Sequence, residues 1–401
     1  MRQLVSAVAA FLIAAAWGCG NESETTPSPS PETKQIGATS YTVVKYPSSL
    51  GGTLSRGMAI NNQGLVAGFS NLADGTRHAA IWRDGTITDL LTLGGSGSTV
   101  PWPGINNNGI VVGISLTNEV DLLDEDWSCE AGGFIPTTTN LACRGFWWEN
   151  GAMHELPTLG GTHGFATEVN STGQIVGWAE NLVHDPTCVG VQTLQFRAVL
   201  WEPKQGSTQE LPPLHGDSAS AATAINEQGQ VVGISGRCDQ AVGRFSALHA
   251  VLWDHGTPTE IPNLGGTTWH TPMDINERGD VVGFSNPPGP GDPEGEFIAH
   301  AFFWEKHSDQ AVDIGVLDGD SFSEAFAINS RGQVVGVSFG GPNGSHAFLW
   351  QNGVLRDLNG LVDIAPDVLQ SAQDINDTGQ ITGRVRDAAT GQILTFVATP
   401  K

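Results

Sequence analysis

The chain has 401 residues, with 52 Gly and 22 Pro, 15% charged and 39% hydrophobic residues. Its formal charge of −24 repels a phosphate backbone, which argues against nucleic acid as a partner. A chain this long ordinarily divides into two or three domains, but an internal repeat overrides that prior and places residues 41–401 in one domain.

Residues 1–18 read as a secretory signal, with Arg2 as the basic start and LVSAVAAFLIAAAW as the apolar run. The run is too short for a spanning helix. Cys19 follows Gly18 at its end, as in a bacterial lipobox, although Ala16 and Trp17 are unusual there. Lipidation at Cys19 is the expectation, and ordinary cleavage near Ala16 with free secretion is the alternative. Residues 19–40 are rich in Pro, Ser and Thr and cannot bury a core, so they read as a disordered tether. The expected location is the outer membrane or cell envelope, with membrane contact only through the lipid.

From Tyr41 onward the chain repeats. A hairpin phrase recurs at Asn61, Asn106, Asn170, Asn226, Asn276, Asn329 and Asn376, at a spacing of about 50 residues. Asn suits the first position of a type I turn and Gly the last, and short apolar runs flank each turn. The Gly that ends each Val-Val-Gly run marks a bulge or a close backbone approach. A third strand carries phrases such as HAAIW at His78, RGFWW at Arg144, RAVLW at Arg197 and HAFFW at His300. A fourth strand runs into an acidic-Leu-x-x-Leu-Gly-Gly phrase, as in ELPTLGG at Glu155. No long stretch has a 3.6-residue apolar period, so helix should be scarce.

The last unit stops after three strands, while YTVVKYPSSLGG at Tyr41 is a fourth strand without a unit. Closing a ring would let the N-terminal strand complete the C-terminal blade and remove open sheet edges. The expected fold is all-β: a seven-bladed β-propeller of four-stranded blades, closed in that way. The hairpin strand is placed innermost.

The HAF phrases, the Leu-Gly-Gly ends and the Asn-x-x-Gly hairpins resemble the HAF-repeat family of bacterial extracellular proteins. DLNGLVDI at Asp357 and INDTGQITG at Ile375 resemble that family's usual ending. Arg144 and Arg197 depart from it by replacing His, and Leu394 and Ala398 by filling the His and Trp slots. The resemblance implies an extracellular or envelope location and carries over no catalytic residue.

Apart from Cys19, four cysteines remain, an even number that suits an oxidising compartment. They fall in long segments read as loops between second and third strands. The expected bridges are Cys129–Cys143 and Cys188–Cys238. Metal binding is the weaker reading, because no paired C-x-x-C spacing occurs.

The repeated Trp and His of the HAF phrase serve every blade alike, so they read as packing rather than as a binding stripe. Positions where one unit departs from its siblings are more informative. Two residues before each hairpin Asn, most units have Ala or Gly, but three have Glu168, Asp274 and Asp374. Near the axis these acids could hold calcium, or each could bond neighbouring backbone amides. Segments running from Leu-Gly-Gly to the next Asn carry Arg56, Trp102, His163, Phe165, Trp269, His270, Phe322 and Glu324. Read as loops at one mouth, these would bind a glycan or a peptide, or would cap the blade ends. Asp121, Asp124, Glu125, Asp126 and Trp127 mark a second surface on the long loops.

No G-x-S-x-G elbow, H-E-x-x-H helix or phosphate loop is present. The leading expectation is a non-enzymatic, monomeric envelope scaffold that binds a protein or a glycan and holds no cofactor, calcium aside. The alternatives are a polysaccharide hydrolase or lyase using His163, His270 and Glu324, and a purely structural envelope component.

Overall fold

The computed structural model describes residues 40–46, 49–125, 134–135, 139–239, 243–292 and 295–401. The expected signal, Cys19, most of the tether and Cys129 lie outside the described residues. The described chain is all-β: its only helical element is the 3-10 turn Leu358–Leu361. Five separate sheets have four strands each, paired in chain order. The fourth unit is typical, running Ala219–Ile225, Val231–Gly236, His249–Asp254 and Thr257–Ile261, all antiparallel.

The remaining strands join in one eight-stranded assembly. Its first half is Gly51–Ile60, Val66–Leu72, Arg77–Arg83 and Thr86–Asp89. Its second half is Val368–Ile375, Ile381–Arg386 and Ile393–Pro400, and there Tyr41–Tyr46 lies antiparallel to Ile393–Pro400. The register runs from Tyr41 opposite Pro400 to Tyr46 opposite Thr395. The halves meet at one parallel pair, Leu54 with Ile393.

The hairpin glycines behave as turn chemistry requires. Gly64 donates to Asn61 O at 2.9 Å and has a φ of 76°, which a residue bearing Cβ rarely adopts. The Gly of each Val-Val-Gly run meets a different demand. The first strand bulges opposite it, as between Ala222 and Ala224, and turns a carbonyl inward. A Cβ on Gly233 would sit 2.0 Å from Ala221 O. Neither site accepts Ala without moving the backbone.

The core lies between neighbouring sheets rather than at one centre. Third-strand indoles fill these seams: Trp82, Trp201 and Trp253 are fully buried. Trp201 donates to Pro157 O at 2.8 Å and Trp253 to Pro212 O at 2.7 Å, so burial leaves both N–H groups satisfied. The His or Arg that opens a HAF-type phrase of the third strand pairs with the acid of the fourth. His78 meets Asp89 at 2.9 Å, His300 meets Asp313 at 2.9 Å, and Arg197 meets Glu210 at 3.0 Å. Arg therefore substitutes for His because either side chain can donate to the acid across the ladder.

Cys188 and Cys238 form the expected disulfide, which joins the third unit to the fourth across 50 residues. Cys143 does not lie in a loop as read from the sequence, because the third strand of its unit starts earlier, at Leu141. Chain-entropy reasoning gives a bridge of this span about 4 kcal/mol. Replacing both Cys188 and Cys238 with Ala should lower the thermal midpoint by roughly 5–10 °C in calorimetry. An unchanged midpoint would mean that hydrogen bonds such as Val189 N to Cys238 O at 3.1 Å hold these segments together without the bridge.

Candidate functional site

The axial end formed by the hairpins is a continuous hydrogen-bonded collar. Each hairpin Asn donates from Nδ2 to the backbone carbonyl of the next. Asn61 reaches Asn106 O at 3.1 Å, Asn106 reaches Asn170 O at 2.9 Å, and Asn170 reaches Asn226 O at 3.3 Å. Asn226, Asn276 and Asn329 continue the series, and Asn376 returns to Asn61 O at 2.9 Å. Meanwhile Oδ1 of each accepts its own turn amides, as Asn61 does from Gln63 and Leu65 at 3.0 Å. A repeat that looked like turn chemistry is also the staple between units.

This collar surrounds a cavity of about 150 Å³ lined by the seven asparagines, Glu168, Asp274 and Asp374. Each carboxylate accepts from a backbone amide of the following unit: Glu168 from Ile225 at 2.7 Å, Asp274 from Ile328 at 2.7 Å, and Asp374 from Ile60 at 2.6 Å. Each acid thus makes the backbone-amide bond that the alternative reading gives it. Burial pushes Asp274 up to about 6 and Asp374 up to about 7. Burial also raises Glu168 well above the ordinary range, and the Asp274 charge adds to it.

The residues read as a ligand-binding mouth are not exposed. The first strands of the first three units begin at the Gly-Gly, and that of the sixth begins at Phe322, so Arg56, His163, Phe165 and Glu324 lie within strands and not in loops. Trp102, Phe165, Trp269, His163, His270 and Glu324 are all buried, while Phe322 and Arg56 are part-buried. Phe165 stacks on Trp178 at 4.1 Å, Trp102 meets Phe165 edge-on at 5.6 Å, and Trp269 meets Phe297 at 5.3 Å. The aromatics make an internal cluster, which is the capping reading, because apolar rings gain more from mutual burial than from a wet rim.

The polar members belong to separate networks. His270 faces Ser285 Oγ at 2.7 Å and Gly266 O at 3.1 Å, and burial pushes it down to about 4. His163 takes the Cys143 amide on Nδ1 at 3.2 Å and faces Asp121 with Nε2 at 3.3 Å. Glu324 is pushed up to about 8 by burial, against the pull of Arg56 and Arg384. The three do not assemble the acid-base set expected for a hydrolase or lyase.

Folded values above the ordinary ones fix the sign of a pH effect. Asp274, Asp374 and Glu324 bind protons more tightly folded than unfolded. Their contribution is fully present below the ordinary carboxylate range and is lost as pH rises through about 6, 7 and 8. Asp387, held at about 2 by Lys45, acts oppositely and is lost only on acidification. Urea midpoints should therefore fall between about pH 5 and pH 9. Asp374→Asn should flatten the fall, and an unaltered slope would remove this assignment.

The long segments of the second to fourth units form the most variable surface. Asp121 and Glu125, read as surface acids, are buried instead, while Asp124 is exposed and Asp126 and Trp127 lie outside the described residues. Glu125 Oε1 accepts from Thr193 N at 2.7 Å and Leu194 N at 2.6 Å, tying two insertions together. Asp121, Glu125 and His163 place ligand-type atoms within 4.8 Å of one another. The Cys143 amide on Nδ1 puts the imidazole proton on Nε2, towards Asp121, so an ion there would have to displace that proton. Nearby Leu122 is 90% and Leu182 74% exposed. Alternating acids in DLLDED gave no sign of which would turn inward, since that depends on amides of another unit.

No known protein-family signature matches the chain, and no curated protein sequence does. Among solved structures it is similar to the β-propeller domain of the Trilobed protease from Pyrococcus furiosus. That match has 9% identity and a TM-score of 0.51, covering 86% of this chain and 95% of that one. It is also similar to an acylaminoacyl peptidase from Pyrococcus horikoshii, with 11% identity and a TM-score of 0.48, covering 86% of this chain. The chain spans about half the length of that peptidase, 52%. At such identities the likeness is one of fold alone, and that fold is a β-propeller.

Proposed function

We propose that the chain is a closed seven-bladed propeller of the HAF-repeat type, whose last blade is completed by Tyr41–Tyr46. It works outside the cytoplasm, tethered by lipid at Cys19, as a monomeric and non-enzymatic scaffold that binds a protein or a glycan. The Cys188–Cys238 disulfide is compatible with export. No helix among the described residues is long and apolar enough to cross a membrane.

One observation carries the binding reading. The hairpin collar is uniform from unit to unit, whereas three adjacent units build long segments that are cross-linked to one another and expose Leu122 and Leu182. Rigid support beneath variable, partly apolar segments is the usual form of a recognition surface. Two measurements test the reading. Polysaccharides incubated with the chain should yield no products; products would overturn the non-enzymatic part. Cross-linking in the native envelope should capture a defined partner, and Leu122→Asp with Leu182→Asp should lower that capture at least about tenfold. Labelling with a radioactive fatty acid should mark the wild-type chain and not Cys19→Ser.

A further inference from the structure

One unit departs from its siblings on an outer surface that the axial sites do not reach. In the third strand, the residue before the repeated Trp is Ile81, Leu200, Leu252, Phe303 or Leu349, but in the second unit it is Trp147. Opposite it on the fourth strand stands His154, where the other units have Thr88, Gln209, Thr259, Val312 and Arg356. The Trp147 and His154 rings are stacked, 4.3 Å between centroids and 22° between planes. They border a groove of about 330 Å³ between the second and third units, with Glu155, Pro157, Trp201 and Thr208 on its other sides.

The polar groups there are arranged unevenly. Trp201 is 1% exposed with its N–H bonded to Pro157 O, so it closes the bottom of the groove and offers it no polar group. The Trp147 indole N–H and the His154 ring nitrogens have no hydrogen-bond partner among the described residues. Glu155 is half exposed and forms an ion pair with Arg144, Nε to Oε1 at 3.2 Å. The groove thus combines an aromatic floor with unused donors, a carboxylate and a hydroxyl.

We propose that this groove binds a neutral oligosaccharide. A pyranose presents a C–H face that packs on an aromatic ring and hydroxyls that both donate and accept. Those hydroxyls would meet Glu155 and the Trp147 N–H together. A phosphorylated or sulfated ligand meets Glu155 and a chain of charge −24, which disfavour it. A proline-rich peptide packs on aromatic rings too, but its prolines have no N–H to offer Glu155. The volume lies at the lower end of small-ligand sites, roughly one or two sugar rings. This proposal rests on the reading of the chain as an extracytoplasmic binding protein.

The full chain is titrated calorimetrically with chitohexaose, cellohexaose, laminarihexaose and maltohexaose, and separately with decaproline. At least one sugar should bind saturably. Trp147→Ala should weaken it at least about tenfold, Trp147→Phe much less, and His154→Ala about threefold. His154 is exposed, so its variant keeps the test meaningful should Trp147→Ala unfold. The proposal is overturned if none of the four sugars binds, if Trp147→Ala binds as well as wild type, or if only decaproline binds. A groove that fails this test while the Leu122 and Leu182 surface still captures its partner leaves the scaffold reading standing; failure of both removes it.

Discussion

A chain lacking residues 1–46 should be insoluble, or should melt at least about 15 °C below the full chain. The missing strand is bonded along its whole length to Ile393–Pro400. Tyr41 is 1% exposed and packs in a cluster with Leu369, Leu394 and Phe396. Removing an aromatic of that burial alone costs about 3–5 kcal/mol. Lys45 Nζ also lies 2.6 Å from Asp367 and bonds Asp387, so its loss leaves two carboxylates facing each other. The deletion then bares ILTFVATP, a β-prone edge without charge, which is a template for aggregation. A synthetic peptide of residues 40–46 added during refolding should recover soluble protein. Full solubility and an unchanged melt of the deleted chain would show that the last sheet stands on three strands, and the proposed ring closure would go with it.

The pairing tested by that deletion is legible in the sequence, because a missing fourth strand and an orphan fourth strand are visible as soon as the repeats are aligned. So is the role of the Gly in each Val-Val-Gly run. The site is less legible, for one physical reason. The Leu-Gly-Gly phrase reads as a strand end, which makes loops of segments such as Gly160–Val169 and turns Phe165 and His163 outward. A glycine pair with positive φ at Gly160 starts a strand as readily as it ends one, and only the partner strand decides. The acids show the same limit. Glu168, Asp274 and Asp374 stood out as departures, yet their bonds go to amides more than 50 residues away, at Ile225, Ile328 and Ile60. By contrast, the match between third-strand His or Arg and fourth-strand acid, as in His249 with Glu260 at 2.9 Å, was available in the sequence. Both phrases are absent together from the last unit, which is what partners do.

Asn376→Ala should destabilise the chain by about 3 kcal/mol, read as a lower urea midpoint at constant m. The side chain is 6% exposed and makes three backbone hydrogen bonds. It accepts from Thr378 N at 3.1 Å and Gln380 N at 2.9 Å, and it donates to Asn61 O at 2.9 Å. Ala orphans both amides in a part-buried place, toward the lower end of about 1–3 kcal/mol each, and opens a gap at the buried Asn376 position. The Asn61 carbonyl suffers less, because Gly64 N still donates to it at 2.9 Å. Asn62 provides the comparison on the same seam. It bonds the amide and carboxylate of Asp377 but is only part-buried, so water replaces what Ala removes. Asn62→Ala should therefore cost about 1 kcal/mol or less. Asn376→Asp separates the two halves of the role. It keeps both acceptors, loses the donor, and sets a charge beside Asp374 and Asp377, so its penalty should grow from about pH 4 to pH 8 while that of Ala stays flat. Equal losses for Asn376→Ala and Asn62→Ala would mean that the collar is incidental to stability, and that the recurring Asn serves its own turn alone.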